Sequence, residues 1–484
     1  MTISITKRDV IWSYAGYALT YSINVLMLPF VLRMLPTREL GLWYTFLAIN
    51  QFIMLLDFGF MPTVLRNASF CWSGVSSLTR EGLPHAMNAN TTGPNYALLH
   101  VVLHASQRIY GWIGLAAAII LLGIGYPYVR HLAPDVPATT LAVAWLIFAI
   151  GALVNIACGY WPALLRGIGA IAESNKVLIG SRGIQFIVTV AGLWMGGGLV
   201  AVTVGFLACG LTARLLSWYS FWGYGQLRTH LPAGHQRVES ALVAEATAVI
   251  WHSARRQGLA SLGNGLIQRS GTLVCSSVLG LAATASYGLA QQMFAMVTAC
   301  AAILFNAYLP VLNAAGARGD LATTRRYLVR GVLAAWFVLA VGTATIVFAV
   351  PQLLPLLGTD TRLVSPRQCA FMGVILSLEI NHLLAYTFLT TRNHIPAPYA
   401  FLTTGVSIIG LSVVFTTYTS LGLWGILIAY FVAQLAHNNW RWPAAALRTC
   451  ALGPVAFLRI GISTLGAALH RKPALVHHTV EFTE

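Results

Sequence analysis

A polytopic, all-α transmembrane helical bundle is the fold class this sequence predicts, and three observations predict it. Of 484 residues, 57% are hydrophobic and only 9% charged, with a mean hydropathy of +0.72. Soluble domains carry about 25% charged residues, so a soluble chain this poor in charge could not cover its surface. Apolar runs of about 20 residues, the length that crosses a bilayer, recur along the chain. The basic residues fall in alternate loops between those runs.

Twelve runs qualify, near 11–34, 40–62, 109–129, 138–165, 177–197, 200–222, 258–280, 284–312, 328–350, 368–391, 397–417 and 420–440. The fifth and seventh each contain an arginine. With the N-terminus inside, 21 Lys and Arg face the cytoplasm and five (Arg33, Arg38, Arg130, Arg362, Arg367) face out. Cytoplasmic loops carry such an excess, so both termini are expected in the cytoplasm. The opening "MTISITKRDV" leads into an apolar span without a small-residue cleavage site and reads as a retained first helix. Near the C-terminus, "LGPVAFLRIGISTLGAAL" is split by Arg459. A thirteenth span over 451–470 and a helix lying on the inner surface are both open, the second preferred.

Several function classes fall away. Asp57-Phe58-Gly59 spells a kinase metal-binding triplet, but three lysines in the chain (Lys7, Lys176, Lys472) cannot supply the rest of a kinase. Seven scattered cysteines without a Cys-x-x-Cys pair read as small hydrophobes. No metal site is expected from the thirteen histidines, and no cofactor is called for. The net charge of +16 is explained by basic cytoplasmic loops, without nucleic acid.

The chain divides into spans 1–6 (1–222), a polar, basic linker (223–256), spans 7–12 (257–445) and a basic tail (446–484). The linker segment "ALVAEATAVIWHSARRQ" reads either as an amphipathic stretch along the inner surface or as a plain solvated connector. "ELGLWYTFLAINQFIMLLDFGFMPTVLRNA" and "SYGLAQQMFAMVTACAAILFNAYLPVLNAA" lie about 247 residues apart and share a faint pattern. Such duplication recurs in transporters and suggests two pseudo-symmetric six-helix lobes.

The run "LMLPFVLRMLPTRELGLWYTFLAINQFIMLLDFGFMPTVLRN" resembles the first two helices of Wzx-type flippases, the bacterial O-antigen and exopolysaccharide exporters of the MOP superfamily. "HLLAYTFLTTRNHI" is similar to a later helix of the same proteins, and the resemblance extends over about residues 8–445. It implies a MATE-like fold in a bacterial inner membrane. It also implies transport of polyprenyl-diphosphate-linked oligosaccharide to the periplasmic leaflet, alongside other polysaccharide-assembly proteins.

Ionisable groups inside hydrocarbon cost about 2.5–3.5 kcal/mol each on insertion scales, so they face a cavity or a partner. Five sit within spans: Asp57, Arg182, Arg214, Arg269 and Glu379. Arg269 lies beside Gln268 and five residues after Asn264, and is a substrate-binding candidate or half of an ion pair with Glu379. Glu379 shares a helix face with His382 and Tyr386, a stripe suited to coupling H⁺ or Na⁺. Arg182 and Arg214 either line the cavity or reach the inner surface. Tyr14, Tyr17, Tyr21 and Asn24 make one face of the first span; Tyr21 and Asn24 are cavity candidates, with simple packing the alternative. Asp57 is expected to pair with an arginine of another helix, Arg182 or Arg214, as a structural or gating contact, with direct binding of the coupling ion the alternative. Three intramembrane arginines against two acids leave a cationic excess, suited to a diphosphate. Rival readings are an ion-coupled small-molecule exporter of the same superfamily, a polysaccharide polymerase or ligase, and a structural scaffold.

Overall fold

The protein is represented by a computed structural model, which describes residues 23, 26–79, 93–230, 239–317, 320–390, 398–453, 455–457 and 459–462. Among them there are helices and no β-strand. Residues 26–34 form α1. The second predicted span is α2 (Thr37–Met54), which tightens into a 3-10 turn at Leu55–Asp57 and restarts as α3 (Phe60–Trp72). The third belongs to a 37-residue rod made of α4 (Tyr96–Ile120), a π-turn and α5 (Tyr126–Leu132). Next come α6 (Ala138–Ala157), α7 (Tyr160–Gly167), α8 (Ile171–Trp194) and α9 (Gly198–Gly223). A short α10 (Leu227–His230) precedes α11 (Ser240–Val274), α12 (Leu281–Ala317), α13 (Leu321–Ala344) and α14 (Val350–Leu353). The series ends with α15 (Pro366–Thr390), α16 (Pro398–Tyr418), α17 (Leu423–Ala436) and α18 (Asn438–Thr449).

Nine of the described helices are long and apolar enough to cross a membrane. The other three predicted spans fall on α1, α11 and α17, so the twelve-span reading fits. On α4 and its π-turn, Trp112, Leu115, Ile119 and Leu122 are all more than half exposed. A face this apolar suits lipid rather than water.

Two sequence boundaries shift. The linker segment is not a separate surface helix, because α11 runs 35 residues without a break into the seventh span. "ALVAEATAVIWHSARRQ" contains neither glycine nor proline, so nothing in it stops a helix. Conversely, the second span breaks near Gly59 and Pro62, letters that mark a place where a helix can bend. Phe58 (φ 45°) and Gly59 (φ 77°) both take left-handed backbone between the 3-10 turn and α3. In the faint 247-residue repeat, Asn306 stands where Gly59 does, and α12 passes through unbroken.

The chain separates into two compact units. The first comprises Met1–Gln291, Phe348–Gln368 and Ala397–Ala433, and in it five predicted outer turns meet. Thr37 and Thr361 share a hydroxyl hydrogen bond of 3.1 Å. Arg38 pairs with Asp135 at 2.5 Å. Glu39 accepts from the Leu199 backbone N–H at 2.7 Å, placing a carboxylate on the positive N-terminus of α9. A Cβ on Gly41 would lie 2.1 Å from the Leu281 carbonyl oxygen. Phe46, Trp145, Phe148 and Phe206 pack ring on ring at 4.9–5.2 Å, joining α2, α6 and α9.

The second unit comprises Gln292–Val347, Cys369–Pro396 and Gln434–Glu484. Arg325 of α13 donates to the carbonyls of Cys450 (2.7 Å) and Ala451 (3.0 Å), capping the C-terminus of α18. Of the tail, residues 455–457 and 459–462 are helical, and Phe457 packs against Trp336 at 6.1 Å. Within the segment 451–470, residues 454, 458 and 463–470 lie outside the described residues.

The break at Phe58 is held from behind by α11. A Cβ on Gly258 would stand 2.6 Å from the Phe58 carbonyl oxygen, and one on Gly265 would stand 2.2 Å from a Leu55 methyl. Small residues allow such close helix approach inside membranes. Gly258→Val should therefore lose about 1–3 kcal/mol through overpacking, read as a lower unfolding midpoint in detergent. Gly223→Val, where a Cβ meets nothing within 4 Å, should leave the midpoint within about 1 kcal/mol equivalent of wild type.

Candidate functional site

Of the candidates in the first unit, Asp57 stands at the break in the second span. The Asp57 carboxylate accepts the Tyr110 phenol at 2.5 Å through one oxygen and the Met61 backbone N–H at 3.2 Å through the other. Met61 is the second residue of α3, so the carboxylate also sits at that helix's positive end. Pro62 follows at the third position, where a missing N–H costs little.

This corrects the expected partner of Asp57. It makes no ion pair with Arg182 or Arg214 among the described residues; a phenol and a backbone amide satisfy it instead. The reason is the break itself, which frees an N–H of α3 within reach of the carboxylate. A straight second span would have offered none.

Arg214 of α9 reaches across to α6. Its guanidinium donates to the Asn155 carbonyl at 2.9 Å and to the Asn155 side-chain oxygen at 3.3 Å. One turn earlier on the same helix, Gly210 makes room: a Cβ there would stand 2.8 Å from the Asn155 amide nitrogen. The Arg214 Nε is buried and has no hydrogen-bond partner. Arg182 of α8 donates to Gln185 on its own helix at 2.8 Å. Neither arginine meets a carboxylate among the described residues.

Arg269 and Gln268 are half-buried on α11, while Asn264 is exposed. Tyr21 and Asn24 lie outside the described residues. In the second unit Glu379 is half-buried on α15, and His382 is 3% exposed. A polar knot stands at the α17–α18 break. Asn438 donates to Gln434 at 2.8 Å and accepts the Trp442 indole at 3.0 Å.

Three features escaped the sequence reading. Tyr110 and Asn155 carry no charge and stand in apolar runs, so charge counting could not find them. A repeat 100 residues apart could have been found: "GFMPTVLR" at 59–66 matches "GYWPALLR" at 159–166. Both segments follow a break in a span, and both form short helices, α3 and α7. These pack tightly, since a Cβ on Gly167 would lie 2.5 Å from that of Ala68. Tyr160, at the start of α7, stacks beside Tyr110 at 5.6 Å. Finally, the histidine reading overlooked one spacing, His100-x-x-x-His104.

With this geometry in view, solved structures supply the comparison. The chain aligns along 98% of its length, and 98% of the other, with an inward-facing multidrug resistance MATE family transporter of the MOP superfamily, at TM-score 0.63 and 14% identity. The chain has the fold of the MOP-superfamily transporters. An outward-facing MATE transporter aligns at TM-score 0.57 and 15% identity over 97% of this chain and 98% of that one. A MOP-superfamily transporter from Pyrococcus furiosus, described as having a binding pocket of reversed polarity that suggests a different function, aligns at TM-score 0.53 and 14% identity over 96% of each chain. No family model and no curated protein matches the sequence.

The Tyr110–Asp57 bond should be measurable as stability. Tyr110→Phe leaves one carboxylate oxygen of Asp57 without its donor, at a cost of about 1–3 kcal/mol. Asp57→Asn on the Tyr110→Phe background should lose less than it does alone, a coupling read by unfolding all four proteins of the cycle in detergent.

Proposed function

We propose that this protein moves polyprenyl-diphosphate-linked oligosaccharides from the cytoplasmic to the periplasmic leaflet of a bacterial inner membrane by alternating access. It is read as a transporter rather than an enzyme, because its fold is that of MOP-superfamily transporters seen both inward- and outward-facing. The observation that carries the substrate class is the state of the intramembrane arginines. Arg182 and Arg214 have neutral amide and carbonyl partners, Arg214 keeps one buried N–H unused, and Asp57 is engaged elsewhere. Their charge is therefore not neutralised by a carboxylate among the described residues.

Uncompensated guanidinium groups inside a membrane favour an anion, and arginine forks suit phosphate oxygens. A lipid diphosphate brings that charge, while its polyprenyl chain stays in the bilayer. The oligosaccharide would bond to Asn264, Gln268, Arg269 and the Tyr21–Asn24 face. Six-helix lobes, spans 1–6 and 7–12, would rock to expose the head group on either side. Glu379 and His382 are the candidates for coupling H⁺ or Na⁺. Asp57, with both oxygens already hydrogen-bonded, suits a structural or gating role.

The second reading is ion-coupled export of small molecules, favoured by the multidrug MATE neighbour. An organic cation would want a carboxylate-lined site, the reverse of what surrounds Arg214. Pocket polarity also varies within this fold, as the Pyrococcus furiosus transporter illustrates.

Reconstitution into vesicles with a labelled polyprenyl-diphosphate oligosaccharide tests the proposal. Wild type should move the label across the bilayer above protein-free vesicles. Arg214→Ala should slow movement about 10- to 100-fold at unchanged folding, the loss of a charge-assisted hydrogen bond. Movement of an organic cation with none of the lipid-linked glycan would favour the exporter.

A further inference from the structure

We infer that His100 and His104 form a binding site for a divalent transition-metal ion of the kind that prefers imidazole, at the cytoplasmic end of the α4 rod. The rod's 37 residues extend about 55 Å at 1.5 Å per residue, well beyond the ~30 Å hydrocarbon core. Its outer end is fixed by Arg130, which donates to the Val136 carbonyl at 2.8 Å beyond α5. About 20 residues before that point fill the hydrocarbon, which leaves the first turns of α4 on the inner, aqueous side. Both histidines stand there, half-buried rather than enclosed.

Their spacing puts them one above the other on a single helix face, the arrangement by which two helical histidines share a metal. The ring centroids are 4.4 Å apart, with the planes at 90°. Two imidazoles bound to one ion through nitrogens at about 2.1 Å, with a bond angle near 90°, would have centroids about 4.5 Å apart. The observed ring separation is compatible with a shared ion. The His104 Nδ1 lies 2.9 Å from the His100 carbonyl oxygen. A bond to a carbonyl holds the proton on that nitrogen and leaves Nε2 as the ligand, the usual support behind a metal-bound histidine. The His100 ring nitrogens have no hydrogen-bond partner among the described residues, and neither does the His104 Nε2.

No group of three or more His, Cys, Asp or Glu side chains that could hold a metal gathers among the described residues. The site would therefore have two protein nitrogens, with water completing the shell. Arg108, one turn further along the same face and exposed, opposes the ion's charge. Glu245 of α11 lines a 290 Å³ cavity with Ala97, Leu98 and Val101 of α4. Zn²⁺, Ni²⁺ and Cu²⁺ suit imidazole, whereas Mg²⁺ and Ca²⁺ prefer oxygen.

The test uses the full chain, purified in detergent without a histidine tag and stripped with chelator. Substoichiometric Cu²⁺ should give an electron paramagnetic resonance spectrum with splitting from two imidazole nitrogens. Calorimetry with Ni²⁺ should show one equivalent that disappears in His100→Gln/His104→Gln and weakens at least 10-fold in each single variant. Zn²⁺ should raise the unfolding midpoint of wild type and not of the double variant. The site is refuted if wild type shows no two-nitrogen Cu²⁺ signal, or if a folded double variant keeps that equivalent. Should the glutamine variants fail to fold, His100→Ala/His104→Ala takes their place: loss of the two-nitrogen Cu²⁺ signal there supports the site and its retention refutes it.

Discussion

Every polar group placed inside this bundle must find its partner within the protein, because lipid supplies none. The break at Phe58–Gly59 shows how far that constraint reaches. Ending a helix inside a span frees backbone N–H and C=O groups, each costly to leave bare. Asp57 answers by accepting a freed N–H of α3, and Tyr110 then satisfies the second carboxylate oxygen. Left-handed backbone at a residue with a side chain costs about 1–2 kcal/mol, and Phe58 tolerates it under the close cover of Gly258. One irregular turn therefore ties α2, α3, α4 and α11 together.

The same logic recurs at the other interrupted spans. The α6–α7 break at Cys158–Gly159 brings Tyr160 to the side of Tyr110, and the α17–α18 break is stitched by Gln434, Asn438 and Trp442. Tyrosine side chains stand at the first of these interruptions and amide side chains at the second. Neutral partners avoid the desolvation of a buried ion pair. A consequence follows for Arg214, whose oxygens come from Asn155 and not from a carboxylate. No carboxylate meets its charge among the described residues, and the proposed anionic substrate rests on that.

How much of this was legible beforehand differs by residue. Charge counting located Asp57, Arg182 and Arg214, because a charged letter in an apolar run stands out. It could not locate Tyr110, Asn155 or Gln185, which are ordinary letters in such runs and matter only through what faces them. The break itself was half-legible: Gly59 and Pro62 marked a bend, and the matching "GYWPALLR" would have strengthened the reading. Pairing Asp57 with an arginine failed because straight-helix geometry does not count the donors that a helix end sets free.

The sequence by itself determined the membrane class and where the long apolar helices lie. Those follow from summed hydrophobicity over about 20 residues and from the placement of arginines, quantities that need no neighbours in space. Only the tertiary structure decided which partner satisfies each intramembrane charge, where spans break, and that the linker and seventh span are one helix. Those outcomes depend on contacts between residues far apart in the chain, such as Asp57 with Tyr110 and Arg214 with Asn155. Close approaches at Gly41, Gly210 and Gly258 set such contacts, and a glycine's letter does not say which backbone or side chain it lets near.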